Sequence, residues 1–162
     1  MILAPSDRHR AVGLAGRLRS PPLQAAHAAW LAARTAWHLP TPEQIEAALP
    51  EPDDFSLAAV IRGPGETGFQ LVRVGAALVR RAGRPLLGEF VGAVAPAAGE
   101  DPIGGAAWAY GRCLATGTPS HEFGHFDVGE GAPLLFERLL LPLGRGALTT
   151  HILAGSVFAG VA

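Results

Sequence analysis

PLLFERLLLPL (Pro133–Leu143) and LTTHILAGSVFA (Leu148–Ala159) are two apolar runs joined through Gly144-Arg145-Gly146. Runs of this kind around a glycine-bearing turn read as an antiparallel β-hairpin. Side chains alternate across a strand, so Leu135, Leu139, Leu141 and Leu143 share one face while Leu134, Phe136 and Leu140 share the other. Both faces carry large apolar groups, which places the hairpin in the middle of a sheet covered on two sides. The rest of the chain must then supply the remaining strands and the covering helices.

The chain has 162 residues, the size of one domain with one core. Apolar residues make up 49% and charged residues 17%, yet no apolar run approaches the length of a membrane-spanning helix. A soluble protein with much buried surface is expected, with no membrane partner. All 13 basic residues are Arg, and the net charge of −1 gives no general attraction to nucleic acid. The single cysteine, Cys113, forms no intramolecular disulfide, and the first residues hold no continuous apolar segment of the secretory kind, so a cytoplasmic location is expected.

Moving outward from the hairpin, residues 1–22 read as an Arg-rich flexible tail ending at Pro21-Pro22. Residues 23–50 read as a helical segment. Leu23, Ala26, Trp30, Ala33 and Trp37 recur at helical spacing, and Pro40 and Pro42 stop that helix before a short second one, PEQIEAALP. Residues 51–162 form the main domain, opening with strands over FSLAAVIR (55–62) and GFQLVRV (68–74). GAALVRRAG (75–83) reads as a short helix with a glycine stop, and 84–96 have no clear assignment. A longer helix opens at Asp101-Pro102 and ends at Gly117, with Ile103, Ala107, Tyr110 and Leu114 as its inward stripe. HEFGHFDV (121–128) reads as a strand leading through a glycine-rich loop to the hairpin.

This order resembles the PAS domains, in their stand-alone bacterial form. The resemblance rests on Trp37-His38-Leu39-Pro40 closing the N-terminal helix, on GFQLVRVGAAL, on YGRCLATGTP (Tyr110–Pro119) and on FERLLLPLGRG…THILAG, and it covers about residues 27–158. It implies an α+β fold: a five-stranded antiparallel sheet with helices on one face and the N-terminal helix packed on the other face or on a partner subunit. It also implies a non-catalytic sensory or regulatory module in signal transduction, binding a small molecule or a signalling protein. Arg73, Trp108, Tyr110 and His151 are the expected ligand-binding residues. Arg73 stands out because a guanidinium holds a carboxylate bidentately. Trp30 and Trp37 are the expected contacts of a homodimer. Light-sensing relatives form an adduct between flavin and a cysteine, but Cys113 lacks the Asn and Gln residues that hold flavin there and is expected to fill apolar space. Haem-binding relatives use an axial His from a helix near the pocket, and 76–82 and 102–116 contain none. Neither flavin nor haem is therefore expected.

Two enzymatic alternatives accompany this reading. His121-Glu122-Phe123-Gly124-His125 matches H-E-x-x-H, in which two imidazoles on one helix face chelate zinc while the Glu activates water. That chemistry needs a helix, whereas Pro119 and Gly124 favour extended chain, which would hold the two Cα atoms about 13 Å apart. The second alternative is a cone-shaped enzyme of the NTF2-like sort using His125 and Asp127. Its long helices precede a continuous curved sheet, whereas here a hairpin comes before the long helix. No catalytic or metal-binding residues are expected under the leading interpretation.

Overall fold

The computed structural model describes residues 13–49, 52–65, 67–91, 106–126 and 134–159. Its elements are α1 (Pro21–Ala33), α2 (Pro42–Glu46), a 3-10 turn (Pro52–Asp54), β1 (Phe55–Arg62), β2 (Thr67–Arg73), α3 (Ala76–Ala82), α4 (Ala106–Thr116), β3 (Ser120–Phe126), β4 (Leu134–Arg145) and β5 (Leu148–Ala159). The five strands form one antiparallel sheet in the order β2-β1-β5-β4-β3. The chain is thus an α+β protein with the closing hairpin at the heart of its sheet. The hairpin turn falls at Gly146-Ala147, slightly later than its sequence suggests, because β4 continues through Arg145 to pair with Leu148.

The alternation along β4 divides the core in two. Leu139, Leu141 and Leu143 join Leu153, Phe55 and Leu57 beneath α1, where Leu23, Ala26 and Trp30 are fully buried. Leu140 joins Ile152, Ala154, Ala58 and Leu71 on the opposite face, where α4 contributes Ala106, Ala109, Tyr110 and Cys113. The N-terminal helix therefore packs on the free face of its own sheet. Gly155, at the centre of β5, makes this close approach feasible, since a Cβ there would collide with Leu23 and Phe55.

Three expectations need correction. Residues 13–20 are not a free tail: 13–17 form a helical turn, and Leu18 is buried in the layer beneath α1 because an apolar side chain there completes that core. Residues 1–12 lie outside the described residues. The first helix ends at Ala33 instead of running on to Trp37, because the chain must extend for Leu39 N–H to reach the Gly146 carbonyl and for Pro40 to accept from Gly144. The inward face of α4 is turned relative to its expected stripe: Ala106, Ala109, Tyr110 and Cys113 face the sheet while Ala107 is exposed, small side chains allowing closer approach. Ile103 lies outside the described residues.

The stretch after α3 has no clear assignment from its sequence, and its Leu86 and Val91 line the core. Within it, residues 86–91 run antiparallel beside β2. Leu71 N–H donates to the Glu89 carbonyl, Gly88 N–H to that of Leu71, and Val91 N–H to that of Phe69. This segment covers the outer edge of β2 and tucks Leu86 into the core. Among the described residues no helix is long and apolar enough to cross a membrane.

Candidate functional site

An apolar strand with two adjacent charges in its middle must pair both of them when it is buried, and β4 contains Glu137-Arg138. Neighbouring residues point to opposite faces, so each charge enters a different layer. Glu137 is 5% exposed and Arg138 2%.

Glu137 lies beneath the start of α1. Its Oε1 accepts from Arg19 N–H at 2.8 Å and sits 3.0 Å from His121 Nε2, while Oε2 accepts from Ser20 N–H at 2.9 Å and from the Ser20 hydroxyl. Ser20 holds the N-cap position of α1, but its hydroxyl does not cap the helix and is given to Glu137 instead. Burial by itself pushes the Glu137 carboxyl up. The bonds from the Ser20 hydroxyl, Arg19 N–H, His121 and Ser20 N–H outweigh that effect and hold it below the ordinary value. His27, on the buried side of α1, is lowered by burial and then by the nearby His121. The serine here bonds the carboxylate and not the imidazole, so the arrangement is not the serine-to-histidine relay of a nucleophilic enzyme. It is a clasp that fastens the start of α1 to β3 and β4.

Arg138 points the other way, into the space between the sheet and helices α3 and α4. Its Nη1 is 2.9 Å from Glu122 Oε1, an ion pair not aligned as a hydrogen bond, and its guanidinium lies over the Phe136 ring at 4.7 Å. In the sheet register Glu122, Arg138 and Ser156 stand side by side on β3, β4 and β5. Beside them is a cavity of about 20 Å³, the room one water molecule needs. Arg138, Tyr110, Ser56, Ser156 and Asp54 supply its polar wall, and Leu71, Leu78, Ala154 and Phe158 its apolar one. The Ser56 hydroxyl accepts from Gly75 N–H at the start of α3, and Arg81 of α3 stacks over Phe158 at 4.1 Å. Burial pushes the Tyr110 hydroxyl far above its ordinary value, so it stays protonated, a hydrogen-bond donor at the cavity wall.

Of the four expected ligand-binding residues, the structure brings only Tyr110 to this cavity. Arg73 pairs with Glu46 of α2 at 2.5 Å, and Trp108 is 68% exposed beneath the Arg112 guanidinium. His151 stands opposite Leu143 on the face that α1 covers, with Nδ1 2.9 Å from the Thr150 hydroxyl. Of the two expected dimer contacts, Trp30 is a correction: it is fully buried and donates its indole N–H to the Pro142 carbonyl at 2.8 Å, so its own sheet uses the surface it would offer a partner. Trp37, beyond the end of α1, is 75% exposed.

His121–His125 lies on a strand, β3, and the face-sharing helix that zinc chelation requires does not form. His121 is committed to Glu137, Glu122 faces Arg138, and His125 is exposed. Asp127, the proposed partner of His125, lies outside the described residues. Cys113 is buried on α4, where burial pushes its thiol up to about 12. Sequence reasoning missed Glu137 and Arg138, although two charges inside PLLFERLLLPL were the signal.

Neither a scan against models of known protein families nor a search of curated proteins found a match to this chain.

Proposed function

We propose that this protein is a stand-alone PAS-like regulatory module, non-catalytic, which takes a small molecule or a signalling protein against the α3–α4 side of its sheet and relays the event to α1. The observation that carries the proposal is the polar cavity at Arg138. A buried guanidinium, a protonated tyrosine and two serine hydroxyls converge on one apolar-walled space, the composition of a small-molecule site. The five-stranded antiparallel sheet, with a helical excursion between β2 and β3, supports it further, since the resemblance implies that arrangement.

As it stands the cavity admits one water, so a larger ligand enters by displacing α3 or α4 outward. The Gly75 N–H to Ser56 bond and the Arg81–Phe158 stack are the contacts such a movement breaks. The route of the relay is β4, where Arg138 lines the cavity and the neighbouring Glu137 anchors the start of α1.

Native mass spectrometry and an absorbance spectrum of the protein as purified test for a retained ligand. Amide chemical-shift mapping against a small-molecule fragment library tests for an exchangeable one. The expected outcome is a perturbation centred on Ser56, Tyr110, Arg138 and Ser156, extending to Ser20. A bare chain mass together with perturbations confined to other surfaces would overturn the proposal.

A further inference from the structure

The two ends of the sheet are finished differently. Residues 86–91 cover the outer edge of β2, whereas among the described residues no backbone group bonds to the outer edge of β3. At the midpoint of β3, Phe123 is 52% exposed, and Leu135 on the adjacent strand is 53% exposed. The Phe123 ring sits edge-on to His121 with centroids 4.8 Å apart, and the Arg19 guanidinium lies 5.0 Å from its centroid. SHEFGHF contains no Pro or Lys, residues that commonly block an edge strand from pairing, and its carboxylate, Glu122, is turned to Arg138 on the adjacent strand.

We propose that this edge pairs antiparallel with the same strand of a second copy, about a two-fold axis through Phe123, making one continuous sheet across a dimer. Such pairing needs no ligand in the Arg138 cavity. The edge is complementary to itself. An axis at Phe123 places residue 121 opposite 125 and residue 122 opposite 124, so positions of equal parity meet and outward-facing backbone groups find outward-facing partners. On the α1 side of the sheet, Phe123 meets its own copy and His121 meets His125. On the other side, Glu122 meets Gly124, which has no side chain. The neighbouring register, centred on Glu122, would set two carboxylates against each other, and a shift by a single residue would mismatch the faces.

Size-exclusion chromatography with light scattering on the full chain tests for association, and cysteine cross-linking locates it. The expected mass rises with protein concentration from 16.7 kDa toward twice that value. Directly opposed Cα atoms in an antiparallel pair lie about 4.5–5.5 Å apart, within disulfide reach. Phe123→Cys is therefore expected to give a disulfide-linked dimer under mild oxidation, whereas His125→Cys, facing residue 121, is not. Cys113 is buried and does not compete. Phe123→Lys is expected to remain monomeric with an unchanged circular dichroism spectrum. In the native chain, amide exchange of residues 120–126 slows as concentration rises. A native chain that stays monomeric up to its solubility limit overturns the proposal, and so does a native dimer in which Phe123→Cys fails to cross-link.

Discussion

The indole N–H of Trp30 donates to the Pro142 carbonyl across 2.8 Å, tying the last turn of α1 to the strand beside the sheet's midline. The bond is buried, and the ring around it is fully enclosed by the layer beneath α1. Trp30→Ala removes ring and bond together and is expected to cost about 3–5 kcal/mol of unfolding free energy. Trp30→Phe keeps most of the apolar volume but leaves the carbonyl without its donor, at about 1–3 kcal/mol. Urea unfolding followed by circular dichroism separates the two values, and equal losses would refute the role given to the indole N–H.

The clasp at Glu137 makes stability depend on pH. His27 is lowered from 6.5 by burial and by His121, so the unfolded chain binds a proton there more readily than the folded one. Stability therefore falls as pH drops through 6.5. Glu137 is held below 4.5 by its hydrogen bonds despite burial, so its contribution is intact above 4.5 and is lost as pH falls further. Two successive declines are expected in a series of urea midpoints from pH 8 to pH 3. His27→Gln should flatten the upper decline and spare the lower, whereas Glu137→Gln should lower stability at pH 7 by about 3 kcal/mol. A single decline unaffected by His27→Gln would contradict this account.

With its thiol pushed up to about 12 and its side chain against the sheet, Cys113 is expected to react slowly with Ellman's reagent at pH 8 in the native protein and rapidly in denaturant. Comparable rates in the two conditions would mean that α4 opens readily or that the thiol is not enclosed.

Gly124 allows the Phe136 ring to lie across β3, where an added Cβ would collide with it. Displacing that ring also disturbs its contact with the Arg138 guanidinium. Gly124→Ala is expected to destabilise the fold by about 1–3 kcal/mol and to shift the side-chain resonances of Arg138, as checked by thermal unfolding and NMR. A neutral substitution would show that the ring relocates freely.

The hairpin was legible because strong apolar residues on both sides of a strand leave only a central, doubly covered position. The same contrast located β1, β2 and α1. It failed on α4, where AAWAYGRCLAT presents several alanines in different directions and its large Trp108 faces outward. It failed again at 86–91, because that segment pairs with β2 through backbone groups that side-chain patterns do not report. The end of α1 was set by backbone bonds from 39–40 to the hairpin turn, a long-range event that local propensity does not encode. At the candidate site, Tyr110 was legible as an aromatic on the covering helix. Arg138 and Glu137 are overshadowed in the sequence by the leucines around them, and the pairing of Arg73 with Glu46 joins residues 27 positions apart, which local patterns do not report.

Because Glu137 and Arg138 are consecutive, a single rigid amide plane carries the anchor of one helical layer on one side and the cationic wall of the cavity on the other. Each charge is thereby held by the register of β4, Glu137 on the α1 side of the sheet and Arg138 on the α3–α4 side. A one-residue slip of β4 would carry each of them into the other's layer, away from the partners that match its charge.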